Sequence, residues 1–232
     1  MRSTLGLCAL ACALGAGCGG GGEDPVGFGA CDDPVAHTGR ATYYDFADGT
    51  GACGFDATAD PMIGAMNQLD YDGSAACGAC AAIEAGSAAI TVRVVDLCPE
   101  CPEGAIDLSP GAFAELAPLD QGVVDISWVY APCEVEGPIR YRFKEGSNQW
   151  WTAVQIRNSR NAIASVEYRD ADGAWHGIGR VDYNYFVAAD GLGVGPYAFR
   201  VADVYGNELV DEAIPHVEGG EVDGAAQFPE CE

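Results

Sequence analysis

From Ile139 to Lys144 the chain alternates one for one: Ile139, Tyr141 and Phe143 fall on one side, Arg140, Arg142 and Lys144 on the other. A period of two is the pattern of a half-buried β-strand. It predicts further strands at residues 152–157, 164–168, 197–202 and 208–213, with turns at Asp172-Gly173 and Gly206-Asn207. Short strands at regular spacing predict a β-sandwich over residues 138–218. The preceding half, residues 38–134, has strand candidates at 40–44, 81–85, 90–95 and 123–130. Its one helical stretch starts at Ser109, with Ser at the cap and Pro110 in the first turn. Glu136-Gly137-Pro138 is the break between the two units. Residues 219–232 form an acidic, Gly-rich tail ending Gln227-Phe228-Pro229-Glu230-Cys231, and an aromatic so close to a cysteine predicts that this end is pinned down, to Cys31.

Two of the four tryptophans are adjacent, Trp150 and Trp151. Alternation sends strand neighbours to opposite faces. The phase puts Trp150 with Thr152, Val154 and Ile156 on the core-like face, and Trp151 with Gln155 and Arg157 on the wet face. By alternation alone only Trp151 is exposed. A flat exposed indole suits the apolar face of a sugar ring; the competing reading is one core Trp and one partly covered surface Trp.

A chain of 232 residues with 49% hydrophobic content holds one or two packed domains. Charge then narrows the partners. Lys+Arg number 11 against 35 Asp+Glu, a net of −24, which repels nucleic acid and other anionic polymers. Between Glu23 and Cys133 the only cations are Arg40 and Arg93. From Glu136 to Glu218 there are eight, including Lys144, the one lysine.

Arg2, the apolar run from Leu5 to Leu14 and the small residues up to Gly17 read as an export signal over residues 1–17, too short to span a bilayer. The approach to Cys18 resembles a bacterial lipoprotein cleavage site, with Gly15 where that motif usually has Leu. On that reading Cys18 carries a lipid, the only membrane attachment, and residues 18–37 are a Gly-rich tether. The alternative is ordinary secretion. Either way the chain is exported, to the cell surface or outer membrane as a lipoprotein or to the exterior. Setting Cys8, Cys12 and Cys18 aside from the 11 cysteines leaves an even set: Cys31, Cys53, Cys77, Cys80, Cys98, Cys101, Cys133 and Cys231. In an exported chain this predicts disulfides. The spacing of Cys77/Cys80 and Cys98/Cys101 also leaves a zinc site open.

Ordered motifs then add up: Ala41-Thr42-Tyr43-Tyr44, Gly51-Ala52-Cys53-Gly54-Phe55, Val95-Asp96-Leu97-Cys98-Pro99 and Ile106-Asp107-Leu108-Ser109. Tyr141-Arg142-Phe143-Lys144-Glu145-Gly146-Ser147, Trp150-Trp151, Gln155-Ile156-Arg157-Asn158 and Asp182-Tyr183-Asn184 follow. Across residues 38–230 this set resembles a bacterial expansin. The resemblance implies a mostly β protein: a six-stranded double-psi β-barrel packed against an immunoglobulin-like β-sandwich carbohydrate-binding module. It implies binding to cellulose and related plant-wall β-glucans and wall loosening without net hydrolysis, by a monomer with no cofactor or metal. Thr42, Asp96 and Asp107 match the barrel groove, Asp107 at the general-acid position of related hydrolases. Trp150, Trp151 and Tyr183 match the aromatic platform, with Lys144 beside it. Cys98 stands where some bacterial relatives carry a groove Tyr, so a stacking contact there is not expected. The pairings implied are Cys53–Cys77, Cys80–Cys133, Cys98–Cys101 and Cys31–Cys231.

Inverting glycoside hydrolysis needs an acid and a base about 6.5–9.5 Å apart. Asp107 supplies an acid if burial raises its pKa. No residue matches the base, though Asp45, Asp48 and Asp56 lie in the region where relatives place it. The bland readings are a turn or helix-capping carboxylate for Asp107, a hydrogen-bonded strand end for Asp96 and an ordinary strand residue for Thr42. An endoglucanase-like hydrolase and a peptidoglycan-active barrel lipoprotein remain as alternatives. At −24 little pectin binding is expected.

Overall fold

A computed structural model describes residues 27–45 and 47–230. The signal segment 1–17, Cys18, most of the tether and Cys231 lie outside the described residues. A two-stranded ribbon, β1 (Gly29–Ala30) and β2 (Asp33–Pro34), leads into the first unit. That unit consists of β3 (His37–Tyr43), β4 (Ile63–Asn67), β5 (Cys80–Ala85), β6 (Ala88–Cys98), β7 (Ile106–Leu108) and β8 (Val124–Ala131). They close a barrel in the order β3-β7-β4-β6-β5-β8. The β3/β7 and β4/β6 pairs are parallel and the others antiparallel, the mixed connectivity of a double-psi barrel. Closure removes the sheet edges.

The predicted strands are all present with ends shifted by a few residues. β4 and β7 escape pattern reading because all five residues of β4 are buried and β7 has only three. The predicted helix is α2 (Pro110–Leu116), following α1 (Gln68–Tyr71). The Ser109 hydroxyl accepts from the Ala112 N–H at 3.0 Å, so the cap is Ser109 and not Asp107. Trp128, Ile83, Tyr130, Met66 and Phe113 fill the barrel core. Cys53–Cys77 and Cys80–Cys133 are disulfides buried in it; Cys98–Cys101 is a third, half-buried. Cys31 is also disulfide-bonded. With Cys77 and Cys80 each bonded elsewhere, the two CxxC motifs do not form a joint zinc site.

The second unit holds β9 (Arg140–Phe143), β10 (Thr152–Arg157), β11 (Ile163–Arg169), β12 (Trp175–Val181), β13 (Tyr185–Ala188), β14 (Tyr197–Asp203), β15 (Glu208–Ile214) and β16 (Glu221–Asp223). The order is β15-β14-β11-β12-β13-β10-β9-β16. β12 serves two layers: Trp175–Ile178 pair with β11, and Gly179–Val181 with β13. The sheet thereby folds over itself into a sandwich, with Tyr141 stacked on Phe199 across the layers at 5.1 Å. β12 was not legible because Gly177 and Gly179 read as breakers. The segment assigned to the tail supplies β16, paired with β9, and Phe228, fully buried in the sandwich core. No helix among the described residues is long and apolar enough to cross a membrane.

Polar contacts join the units. Gln155, assigned to the wet face, is fully buried: its Nε2 donates to the carbonyls of Cys53 (2.9 Å) and Asn184 (3.2 Å). The open face of β10 is thus a seat for the barrel. Arg157 pairs with Asp56 at 2.5 Å and donates to Gly54 O at 3.1 Å. From the barrel side the Tyr71 hydroxyl donates to Asp182 O, and that of Ser74 to Val181 O, each at 2.9 Å.

Candidate functional site

The sheet register brings the expected groove residues together. Thr42 of β3 is the partner of Asp107 on β7. Ala65 of β4 is the partner of both Asp107 and Asp96 of β6. Thr42, Asp107, Ala65 and Asp96 therefore form one row across four neighbouring strands, with the small Ala65 between the carboxylates. At about 4.8 Å per strand the two aspartates are about 10 Å apart at the backbone.

Their environments differ. Thr42 Oγ1 donates to Asp107 Oδ1 at 2.5 Å. Burial pushes the Asp107 carboxyl above its ordinary range, and the Thr42 hydrogen bond only partly opposes this. Asp96 Oδ1 accepts two backbone N–H groups, from Ala52 at 2.6 Å and Leu97 at 2.8 Å. It holds the loop at residues 51–55 in place. Gly51 is required there, because a Cβ would sit 2.4 Å from Asp96 Cγ. Of the base candidates, Asp56 is committed to Arg157, and Asp48 lies exposed with its pKa lowered by the Thr50 hydroxyl and N–H.

Tyr44 was missed. It lies two residues beyond Thr42, so alternation places both on one face. Its hydroxyl is buried without a hydrogen-bond partner, and its pKa is pushed up to about 12 by burial, then by Asp96, Asp107 and Asp48. An aromatic residue just after β3 thus lies near both aspartates, where no stacking contact was expected from Cys98, which stands where some bacterial relatives carry Tyr. The i, i+2 spacing was the available signal.

The aromatic surface lies on the sandwich. Trp150 is 73% exposed and Tyr183 43%, while Trp151 is half-buried. Alternation had Trp150 on the core face, and the geometry of one turn reverses this. Asn148 N donates to Trp151 O at 2.7 Å, Trp151 N returns the bond to Asn148 O at 3.2 Å, and Asn148 Oδ1 accepts from Trp150 N at 2.9 Å. Trp150 stands at the tip of this turn and the regular strand begins only at Thr152. Tyr183 tops the β12–β13 turn, where Asn184 takes the left-handed conformation, φ 62°. The Lys144 ammonium lies 5.5 Å from the Tyr183 ring centre and 5.0 Å from that of Tyr185.

Residues 51–55 connect the two regions. Gly51 backs Asp96, the Cys53 carbonyl accepts from Gln155 and Asn184, and Gly54 lies against the Tyr183 carbonyl. Groove and aromatic surface are therefore linked through one short segment, which the Cys53–Cys77 disulfide anchors to the barrel.

Comparison with known proteins gives the site a family. A family model described as lytic transglycolase matches residues 36–128, the barrel. Expansin-YoaJ of Bacillus subtilis (strain 168) is 37% identical over 217 residues, covering 89% of this chain and 91% of that protein. The crystal structure of the apo Clavibacter michiganensis expansin superposes with a TM-score of 0.78 at 32% identity, covering 84% of this chain and 99% of that one. A mutant of that expansin, solved in complex with cellohexaose, superposes equally well at 31% identity. With both domains covered at this level, the chain belongs to the expansin family.

Proposed function

We propose that this protein is exported, binds cellulose through Trp150, Trp151 and Tyr183 with Lys144 beside them, and loosens plant-wall glucan without hydrolysing it. The observation that carries the reading is the exposure of Trp150 and Tyr183 on the sandwich, linked through residues 51–55 to the row that holds Asp96, Asp107 and Thr42. The cellohexaose complex of the related expansin supports a β-glucan ligand. Each ring buries the C–H face of a glucose unit at about 25 cal/mol per Å². In the groove Asp107, Thr42 and Tyr44 compete for the hydroxyls that hold one glucan chain to its neighbour. With a net charge of −24, pectin is bound little.

The commitment of Asp96 Oδ1 to two backbone N–H groups and of Asp56 to Arg157 favours a non-hydrolytic groove. The lytic-transglycolase match favours one competing reading, action on peptidoglycan, but extends only over the barrel. The deciding experiment combines filter-paper weakening or wall creep with reducing-sugar release from soluble and crystalline glucans and from peptidoglycan. Weakening without sugar release, lost in Asp107→Ala, is the expected result. If Asp107→Ala weakens paper as well as the wild type while Trp151→Ala abolishes cellulose binding, the groove has no role in loosening. Sugar release that disappears in Asp107→Ala makes the protein a hydrolase.

A further inference from the structure

Asp96 and Cys98 are two residues apart on β6, so Cys98 shares the groove face, and the short Pro99-Glu100 turn brings Cys101 back to it. The two sulfurs and an Asp107 carboxylate oxygen all lie within 4.8 Å of one another. The Cys98–Cys101 bond is half-buried, whereas Cys53–Cys77 and Cys80–Cys133 are at most 7% exposed. A reductant therefore reaches the first long before the other two.

We propose that the Cys98–Cys101 pair is a redox gate on a latent metal site, and that the reduced protein binds one thiophilic divalent cation through Cys98, Cys101 and Asp107. In the gating step a dithiol reductant gives up two electrons and two protons. The Cys98–Cys101 bond breaks to two thiols, and the reductant closes to its own disulfide. Cation binding then releases the two thiol protons. A C-x-x-C turn supplies two thiolates to one tetrahedral ion, at about 2.3 Å each, and a carboxylate at about 2.0–2.2 Å makes a third ligand with a position left for water. The three ligand atoms already lie within 4.8 Å of one another. The occupied site withdraws Asp107 from Thr42 and from any ligand in the groove, while the aromatic surface on the sandwich is untouched. The inference depends on the position of these three residues and not on what the groove does to glucan.

The test uses the full mature chain, reduced under anaerobic conditions with limiting dithiothreitol and freed of reductant. Alkylation and peptide mapping should find Cys98 and Cys101 modified, with Cys53, Cys77, Cys80 and Cys133 still paired. Titration with Co²⁺ should then give thiolate-to-cobalt charge transfer and tetrahedral d–d bands at one ion per chain, bleached by Zn²⁺. The oxidised protein and Cys98→Ser should give neither. Asp107→Asn should weaken the affinity at least about tenfold, with an unchanged near-ultraviolet circular dichroism spectrum as evidence of folding. Equal affinity in Asp107→Asn removes the carboxylate from the site. Absence of tetrahedral bands, or reduction of the buried disulfides as early as the half-buried one, overturns the proposal.

Discussion

Trp150→Ala separates two accounts of one residue. Alternation from β10 puts this ring in the core, where truncation of a Trp costs about 3–5 kcal/mol of stability. In the structure the ring is 73% exposed at the tip of the Asn148–Trp151 turn. The turn is held by backbone bonds and by Asn148 Oδ1, none of which uses the indole. Truncation should therefore change stability by no more than about 0.5 kcal/mol, as at other exposed positions. Binding is a different matter. One stacked indole face covers about 80 Å², roughly a third of a Trp side chain's buried area, which at about 25 cal/mol per Å² is worth about 2 kcal/mol. At about 1.4 kcal/mol per tenfold, the dissociation constant for cellulose should rise about thirtyfold. Depletion isotherms on microcrystalline cellulose and thermal unfolding followed by near-ultraviolet circular dichroism read the two quantities on the same preparation. A loss of several kcal/mol of stability with little change in binding would restore the core assignment. Unchanged stability and unchanged binding would remove Trp150 from the glucan surface.

Gly191→Ala tests the support of the same turn: at φ +73° its Cβ would sit 2.1 Å from Gln149 O. It should cost about 1–3 kcal/mol of strain and weaken cellulose binding with every aromatic intact, measured by the same isotherms. His37, stacked 4.0 Å from Trp128, lies between Asp70 and the Gly27 carbonyl. Burial lowers its pKa, but Asp70, the Gly27 carbonyl and Glu103 outweigh this and leave it raised. Its stabilisation is full below the unfolded-state His pKa and is lost as pH rises through the raised value. The Tm difference between wild type and His37→Asn should therefore shrink above neutral pH, and a pH-independent difference would refute the clamp. If loosening uses neutral Asp107, whose pKa burial raises, activity should fall as pH rises through that value. Asp107→Asn, which stays neutral, should have no such limb in a creep-against-pH profile.

The strands that sequence reveals are those whose polar and apolar residues alternate, in most cases because one face is wet and the other dry. β9, β8 and β14 alternate in burial residue by residue, and their predicted positions agree with the structure to within a few residues. β4 has no wet face, β7 is too short to show a period, and the glycines of β12 imitate a turn. The site divides the same way. Thr42, Asp96 and Asp107 stand in one row because four neighbouring strands are in register, and only the ordered motifs pointed to them. Register is a property of pairing and is not written in any single strand.

Gln155 shows most clearly where pattern reading must fail. Its position in β10 is one that alternation assigns to solvent, and a polar residue there satisfies the rule. The rule is met for another reason. The barrel covers that face, and the side chain is polar because two carbonyls, Cys53 and Asn184, need a donor inside the interface. A buried carbonyl left unpaired costs about 1–3 kcal/mol, and a hydrophobic residue at 155 would take a donor from both, leaving Cys53 O only the 3.4 Å bond from Asn184 Nδ2. Arg157 meets the same demand for Gly54 while pairing with Asp56. The residues that look most like ordinary surface therefore fix the seating of sandwich on barrel. Through Cys53 and Gly54 they also fix how the loop behind Asp96 is held against the turn that carries Tyr183.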